Sequence, residues 1–180
     1  MAFEFHNHQT IPDVKLIFPK KIMDDRGWFQ ETYVERDFRY YGNLDLYITQ
    51  ENHSSSKANV FRGMHYQLWP NDQGKLVRCL NGSFIDYFVD LRQSSGTFGK
   101  IGNYKMTKGG PLIWIPSGFA HGVLTLEDNT ELLYKCDNRY SPLDERGINP
   151  HSIIKDLPDD LIINPKDLQW PSFESAEYFP

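Results

Sequence analysis

Six histidines give the chain its most versatile candidate groups: His6, His8, His53, His65, His121 and His151. His6 and His8 are terminal, where solvation is expected, and His151 falls in a proline-rich stretch. His53, His65 and His121 lie in denser surroundings. A neutral imidazole can take a proton from a carbon beside a carbonyl if it reaches that proton. The resulting enolate places negative charge on oxygen, and a fixed cation such as Lys75 aimed there lowers the barrier. A tyrosine on the opposite face could return the proton and so invert the carbon. A lone His or Lys in a β protein is ordinarily structural or solvated. The chemistry therefore requires that all three residue types converge in space.

The elements that must position them read as strands. Residues 15–19, 46–50, 75–80, 84–91, 101–106, 112–115, 122–126 and 131–136 form short β-prone runs separated by turn signals. Asn81-Gly82 reads as a hairpin turn, and Gly109-Gly110-Pro111 and Pro116-Ser117-Gly118 mark others. Residues 34–41 predict one short helix, and residues 151–167 hold the signal for another. After Tyr140 the chain is punctuated by Pro142, Pro150, Pro158, Pro165, Pro171 and Pro180, and an irregular strap over the β body is expected. The expectation is one all-β domain spanning residues 1–180, a sandwich or small barrel.

The chain has 180 residues, and 24 acidic against 19 basic side chains leave five net negative charges. That balance argues against nucleic acid or an acidic membrane as partner, since both call for a basic face. No apolar run approaches the roughly 18 residues of a membrane span. The first eight residues have neither the basic start nor the apolar core of a signal peptide. Cys79 and Cys136 are the only cysteines, and a cytoplasmic protein with reduced thiols is expected.

Gly110, Pro116, Gly118 and His121 resemble the second half of the cupin motif, which implies a jelly-roll barrel. Metal-binding cupins add two histidines and a glutamate in the first half; here His65 is followed by Tyr66 and Gln67, and Lys75 stands where an acidic ligand would be expected. A divalent metal needs three or four donors, so no metal is expected.

Phe61-Arg62-Gly63-Met64-His65-Tyr66-Gln67 resembles the signature of the dTDP-4-dehydrorhamnose 3,5-epimerases. The likeness continues through Gly74-Lys75-Leu76-Val77-Arg78, Val89-Asp90-Leu91-Arg92, Thr97-Phe98-Gly99, Ile115-Pro116-Ser117-Gly118-Phe119-Ala120-His121-Gly122 and Leu133-Tyr134-Lys135. Upstream, Asp25-Arg26-Gly27-Trp28-Phe29-Gln30-Glu31 and Gln50-Glu51-Asn52-His53-Ser54 fit as well. The resemblance implies a cupin-type jelly roll and cofactor-independent epimerisation of a nucleotide-linked 4-keto-6-deoxy sugar at C-3, C-5 or both. It implies His65 as the base, Lys75 facing the enolate oxygen and Tyr134 as the acid. The base's orienting carboxylate best matches Asp167 of the Lys166-Asp167 pair, with Asp156, Asp159 and Asp160 as nearby alternatives. Gln50, Asn52, Arg62, His121, Tyr140 and Lys166 match residues of the substrate site. Arg26 and Glu31 match residues that reach a partner's pocket in strand-exchanged homodimers. Gly96 and Val123 depart from the family pattern, where Pro and Phe are common. A non-catalytic sugar-nucleotide binder and a metal-dependent cupin enzyme are the competing readings.

Overall fold

The computed structural model describes residues 2–180. The chain opens with β1 (Phe3–Asn7), β2 (Lys15–Pro19), β3 (Ile22–Asp24) and β4 (Gly27–Phe29), followed by helix α1 (Glu35–Gly42). The body comprises β5 (Gln50–Ser56), β6 (Val60–Gln67), β7 (Lys75–Asn81), β8 (Ser83–Asp90) and β9 (Ile101–Thr107). Then come β10 (Leu112–Ile115), β11 (Phe119–Thr125) and β12 (Thr130–Cys136). The tail carries β13 (Glu145–Gly147), β14 (Ile162–Ile163) and the one-turn helix α2 (Pro165–Leu168).

Two six-stranded sheets face each other as a jelly roll. One runs β1-β2-β10-β7-β12-β5; the other runs β13-β6-β11-β8-β9, with β14 added parallel to β6. β3 and β4 form a separate two-stranded ribbon. Between the sheets, Val77, Cys79, Ile113, Ile115 and Leu132 meet Phe84, Phe88, Met106, Phe119 and Val123. Each large apolar side chain so buried contributes roughly 1.5–3 kcal/mol of transfer free energy.

Both sheets are also covered on their outer faces, which explains why β8 is buried almost throughout. Its alternate residues, Tyr87 and Val89, join Phe61, Met64, Tyr66 and Leu124 under the C-terminal tail, where Ile154, Phe173 and Phe179 pack. On the other side Phe38 of α1 joins Phe3, Leu76, Leu112 and Trp114. The tail is thus the second cover of a sheet, as expected of a strap.

Several sequence expectations shift. Residues 46–50 are not a strand: Leu44 and Leu46 plug into the α1 cluster from extended chain, and ladder pairing starts only at Gln50. Asn81-Gly82 is not a hairpin turn, because β7 and β8 belong to opposite sheets. Gly82, at φ +71°, makes the corner between them. Residues 151–167 hold no long helix: a 3-10 turn, the short strand β14 and the start of α2 follow one another, and Pro158 and Pro165 do not allow a longer helix to run through them. β6, which carries His65, was not among the expected strands.

Candidate active site

The geometry of β6 begins with Gly63. Along β11 two steps separate His121 from Val123, yet their β6 partners His65 and Arg62 are three apart. This β-bulge places one extra residue in β6 and turns Arg62 and His65, an odd spacing, to the same inner face. Gly63 sits at φ +136°, and a Cβ there would stand 2.5 Å from Gly122 Cα and 2.7 Å from the His121 carbonyl oxygen. Only glycine fits such a position. The Arg-Gly-Met-His order is therefore the local chemistry of a bulge that presents a guanidinium and an imidazole together.

Facing them lies a cavity of about 750 Å³ between the sheets. Its walls include Arg62 and His65 of β6, His121 of β11, Lys75 of β7, Tyr134 of β12, and Tyr140, Glu145, Lys166 and Asp167 from the tail. Lys75 opens β7 and lies across the ladder from Cys136 of β12. Asn52 stands opposite Tyr134 on β5. Gln50 donates to Asn52 Oδ1 at 2.9 Å and accepts the Tyr140 amide at 2.9 Å, which ties the cavity mouth to the sheet edge.

Asp167 reaches this cavity through a local device. Asn164 accepts the Lys166 amide at 3.0 Å as an N-cap, and Pro165 occupies the first helical position. The pairing of Ile162 and Ile163 with Val60 and Phe61 lays this turn against the bulge. Asp167 is buried, and its Oδ1 lies 2.7 Å from His65 Nε2, while Oδ2 accepts the Gly63 amide at 3.3 Å. Burial pushes the Asp167 carboxyl up, but the hydrogen bonds from His65 and Gly63 outweigh it and hold the group below the usual carboxylate range. An ionised Asp167 fixes the imidazole proton on Nε2 and leaves the lone pair on Nδ1. Among the four acids open in the sequence, Asp167 is the one that meets His65; Asp160 is instead held by Asn59 at 2.8 Å.

The remaining charges are tuned by the same enclosure. Burial lowers Lys75 from the ordinary lysine value, opposed by the charges of Cys136, Asp86, Asp137 and Glu145. Burial raises the Tyr134 phenol, and Cys136 adds to this, whereas the positive charge of Arg62 acts the other way. At the mouth, Lys166 lies 2.5 Å from Glu145, which also accepts the Tyr140 hydroxyl at 3.1 Å. Arg62 donates to Ser56 Oγ at 3.1 Å and keeps much of its guanidinium exposed to the cavity.

Ten of the twelve expected site residues are thus gathered in or beside one cavity. Arg26 and Glu31 are not. Arg26 caps the tip of the β3–β4 ribbon, 90% exposed and 2.5 Å from Asp24, and Glu31 is solvent-exposed just beyond β4. His53 also stays outside, paired with Glu131 at 3.0 Å. Glu145 is a cavity residue that the sequence reading missed, and nothing in its local pattern marks it. Asp86 was missed too, although a carboxylate between Phe84 and Phe88 at strand spacing marks a charge facing inward. Among the described residues no group of three or more His, Cys, Asp or Glu is gathered as for a metal ion.

The family model for dTDP-4-dehydrorhamnose 3,5-epimerase matches residues 8–175. The dTDP-4-dehydrorhamnose 3,5-epimerase of Shigella flexneri is 42% identical over 173 residues, 94% of this chain and 96% of that protein. The crystal structure of the Sulfolobus tokodaii enzyme of that name superposes with a TM-score of 0.91 at 40% identity, covering 100% of both chains. A Legionella pneumophila dTDP-6-deoxy-D-glucose-3,5-epimerase, solved with dTDP-4-keto-L-rhamnose, gives 0.89 at 33% identity and covers 97% of this chain and 95% of its own. With this match over almost its whole length, the chain belongs to the dTDP-4-dehydrorhamnose 3,5-epimerase family.

Proposed function

We propose that this chain epimerises a dTDP-linked 4-keto-6-deoxy-hexose at C-3 and C-5 through enolates, without a cofactor. The observation that carries the reading is the buried Asp167–His65 pair in one cavity with Lys75 and Tyr134. His65 Nδ1 takes the proton from the carbon beside the substrate ketone, and Asp167 stabilises the imidazolium that forms. Lys75 faces the enolate oxygen, and Tyr134 delivers a proton to the opposite face. Arg62 suits a diphosphate, which a planar guanidinium grips in two places, and Gln50, Asn52, His121, Tyr140 and Lys166 line the rest of the substrate. The ketone of the substrate itself acidifies both carbons, so no metal or redox group enters the scheme.

The working unit on this reading is a strand-exchanged homodimer of single-domain chains in the cytoplasm. Its support is the β3–β4 ribbon, which exposes Ile22, Met23, Trp28 and Phe29, each more than half accessible, around Arg26. An apolar patch of that kind calls for a covering surface. Arg26 and Glu31 would then complete the partner's cavity. No helix among the described residues is long and apolar enough to cross a membrane.

The test is proton NMR of dTDP-4-keto-6-deoxy-glucose in deuterated water. Deuterium entering at C-3 and C-5 is expected; entry at one carbon reduces the assignment to a single-site epimerase, and entry at neither refutes it. For the dimer, inactive Arg26→Ala and His65→Ala chains are unfolded together and refolded. Recovery of activity is expected, since mixed dimers hold one intact site, and no recovery overturns the shared cavity.

A further inference from the structure

Helix α2 delivers Asp167 to His65, yet nothing apolar of its own holds it in place. It has four residues, of which Pro165, Lys166 and Leu168 are exposed, and its one buried side chain is the carboxylate itself. So short a helix is not stable alone and forms only where packing imposes it. Upstream, β14 lays the chain on β6. Downstream, the anchor is Trp170. A Cβ on Gly147 would stand 2.5 Å from Cδ1 and Nε1 of Trp170 and 2.6 Å from Cε2. Gly147 is not among the glycines at positive φ, so the indole, not the backbone, is what requires glycine there. Gly147 of β13 lies directly across the ladder from His65 of β6. Partners in such a pair share a face, with Cβ atoms about 5 Å apart. The indole therefore fills the place beside His65 that a side chain at position 147 would occupy. Its Nε1 is buried without a partner, so no hydrogen bond seats the ring. Asn149 brackets it instead: its amide donates to the Pro171 carbonyl at 2.8 Å and its Nδ2 to the Leu168 carbonyl at 2.9 Å. Lys166 Nζ lies over the indole, 5.4 Å from the ring centroid and within cation–π reach.

Resting on the reading of Asp167 and His65 as the dyad of an epimerase, we propose that Trp170, seated in the gap left by Gly147, is a positioning residue that keeps the Asp167 carboxylate on His65. The two anchors of α2 differ in what they fix. β14 is only two residues long, and it sets where the turn begins. Trp170 comes three residues after Asp167, and its ring packs on the strand position opposite His65 itself. The imidazole and its carboxylate are thereby referred to one shared support. A displacement of the indole carries the Leu168–Pro171 segment with it, and Asp167 precedes that segment directly. The Asp167–His65 hydrogen bond, at 2.7 Å, does not survive a shift of about 1 Å. Asn149 latches the same segment from the β13 side, because both of its donors end on carbonyls that flank Trp170.

The test is the imidazole ¹⁵N–¹H spectrum of the full-length protein, which needs no substrate, followed by kinetics. Assigned with His65→Gln, the wild type should show a proton held on His65 Nε2, and Asp167→Ala should lose that signal to exchange with water. Gly147→Ala drives a methyl into the indole, and Trp170→Ala removes the ring; each should lose the same signal. In each, kcat should fall about 10²-fold, the effect of a misplacement of about 1 Å. Adding Gly147→Ala to Trp170→Ala should cost little more, since the methyl then meets no ring. Combination with Asp167→Ala separates positioning from mere stability. The losses of kcat should not add, because no carboxylate remains to be placed, whereas the shifts of the urea midpoint should add. A folded Gly147→Ala or Trp170→Ala protein that keeps the His65 signal and wild-type kcat overturns the proposal, as do kcat losses that add to that of Asp167→Ala. If the wild type does not act on the dTDP sugar, the epimerase reading fails, and the His65 signal in the two variants still decides whether Trp170 holds the pair.

Discussion

Replacing Asp167 by asparagine should cost far more activity than stability, and the structure says why. In the native site both neighbours of the carboxylate are donors: the His65 Nε2–H to Oδ1 at 2.7 Å and the Gly63 amide to Oδ2 at 3.3 Å. Asparagine offers one acceptor and one donor. The Gly63 amide cannot become an acceptor, but His65 can, by moving its proton from Nε2 to Nδ1. The carboxamide oxygen therefore turns to Gly63 and its NH₂ to His65, and the lone pair needed at Nδ1 is lost. Stability changes little, by about 1–2 kcal/mol, because both hydrogen bonds persist in neutral form. The rate falls by about 10³–10⁴, the scale at which a wrong tautomer in such a dyad acts. Asp167→Ala makes the opposite trade. It leaves the Gly63 amide unpaired at a cost of about 1–3 kcal/mol, yet frees His65 to sample both tautomers. Asparagine should thus be the more stable and the less active of the two. Deuterium wash-in at the substrate carbons reads the rate, and urea unfolding reads the stability. An Asp167→Asn enzyme within tenfold of wild type, or one clearly faster than Asp167→Ala, would refute the tautomer argument.

Other consequences are equally direct. Tyr134→Phe should slow inversion more than proton exchange, since the acid is removed and the base remains; equal losses by NMR would count against that division. Gly63→Ala forces a methyl into the backbone of Gly122 and His121 at φ +136°, so about 2 kcal/mol or more of stability should go, with the Arg62–His65 alignment. A urea midpoint close to that of wild type would show that the bulge relaxes freely. Asp90 is buried, which raises its carboxyl, but Arg92, Ser95 and Thr97 hydrogen-bond it and hold it at about 2, below the ordinary 3.8. Because the folded value is the lower one, Asp90 contributes stability above about pH 4, and this is lost as pH falls toward 2. Asp90→Asn should therefore lose about 2 kcal/mol at pH 7 and much less near pH 2.5. A pH-independent difference between the two proteins in urea unfolding would show that the charge is not what matters.

The chain by itself settles the β class, half of the strand positions and the chemistry on offer. Short alternating runs and turn residues fix strands locally, because side-chain period and positive-φ tolerance are properties of a few neighbouring residues. The Asn164-Pro165 helix start and the bulge that presents Arg62 and His65 rest on local residue types as well, though they become plain only in the structure. The same bulge hid β6 from a periodic reading, since an extra residue breaks the alternation that marks a strand. Pairing across the fold is what local signals do not encode. Asn81-Gly82 has the residues of a hairpin, yet it turns a corner because β7 and β8 are claimed by different sheets. Leu44 and Leu46 alternate like strand residues, yet they pack as a plug because no neighbour is there to pair with them. Asp167 is 102 residues from His65, and only the docking of the tail on β6 selects it over three nearby acids. Glu145 enters the cavity by the same long-range packing. Residue types set what chemistry is possible; burial and pairing between distant segments decide which groups meet and which of them carry a proton.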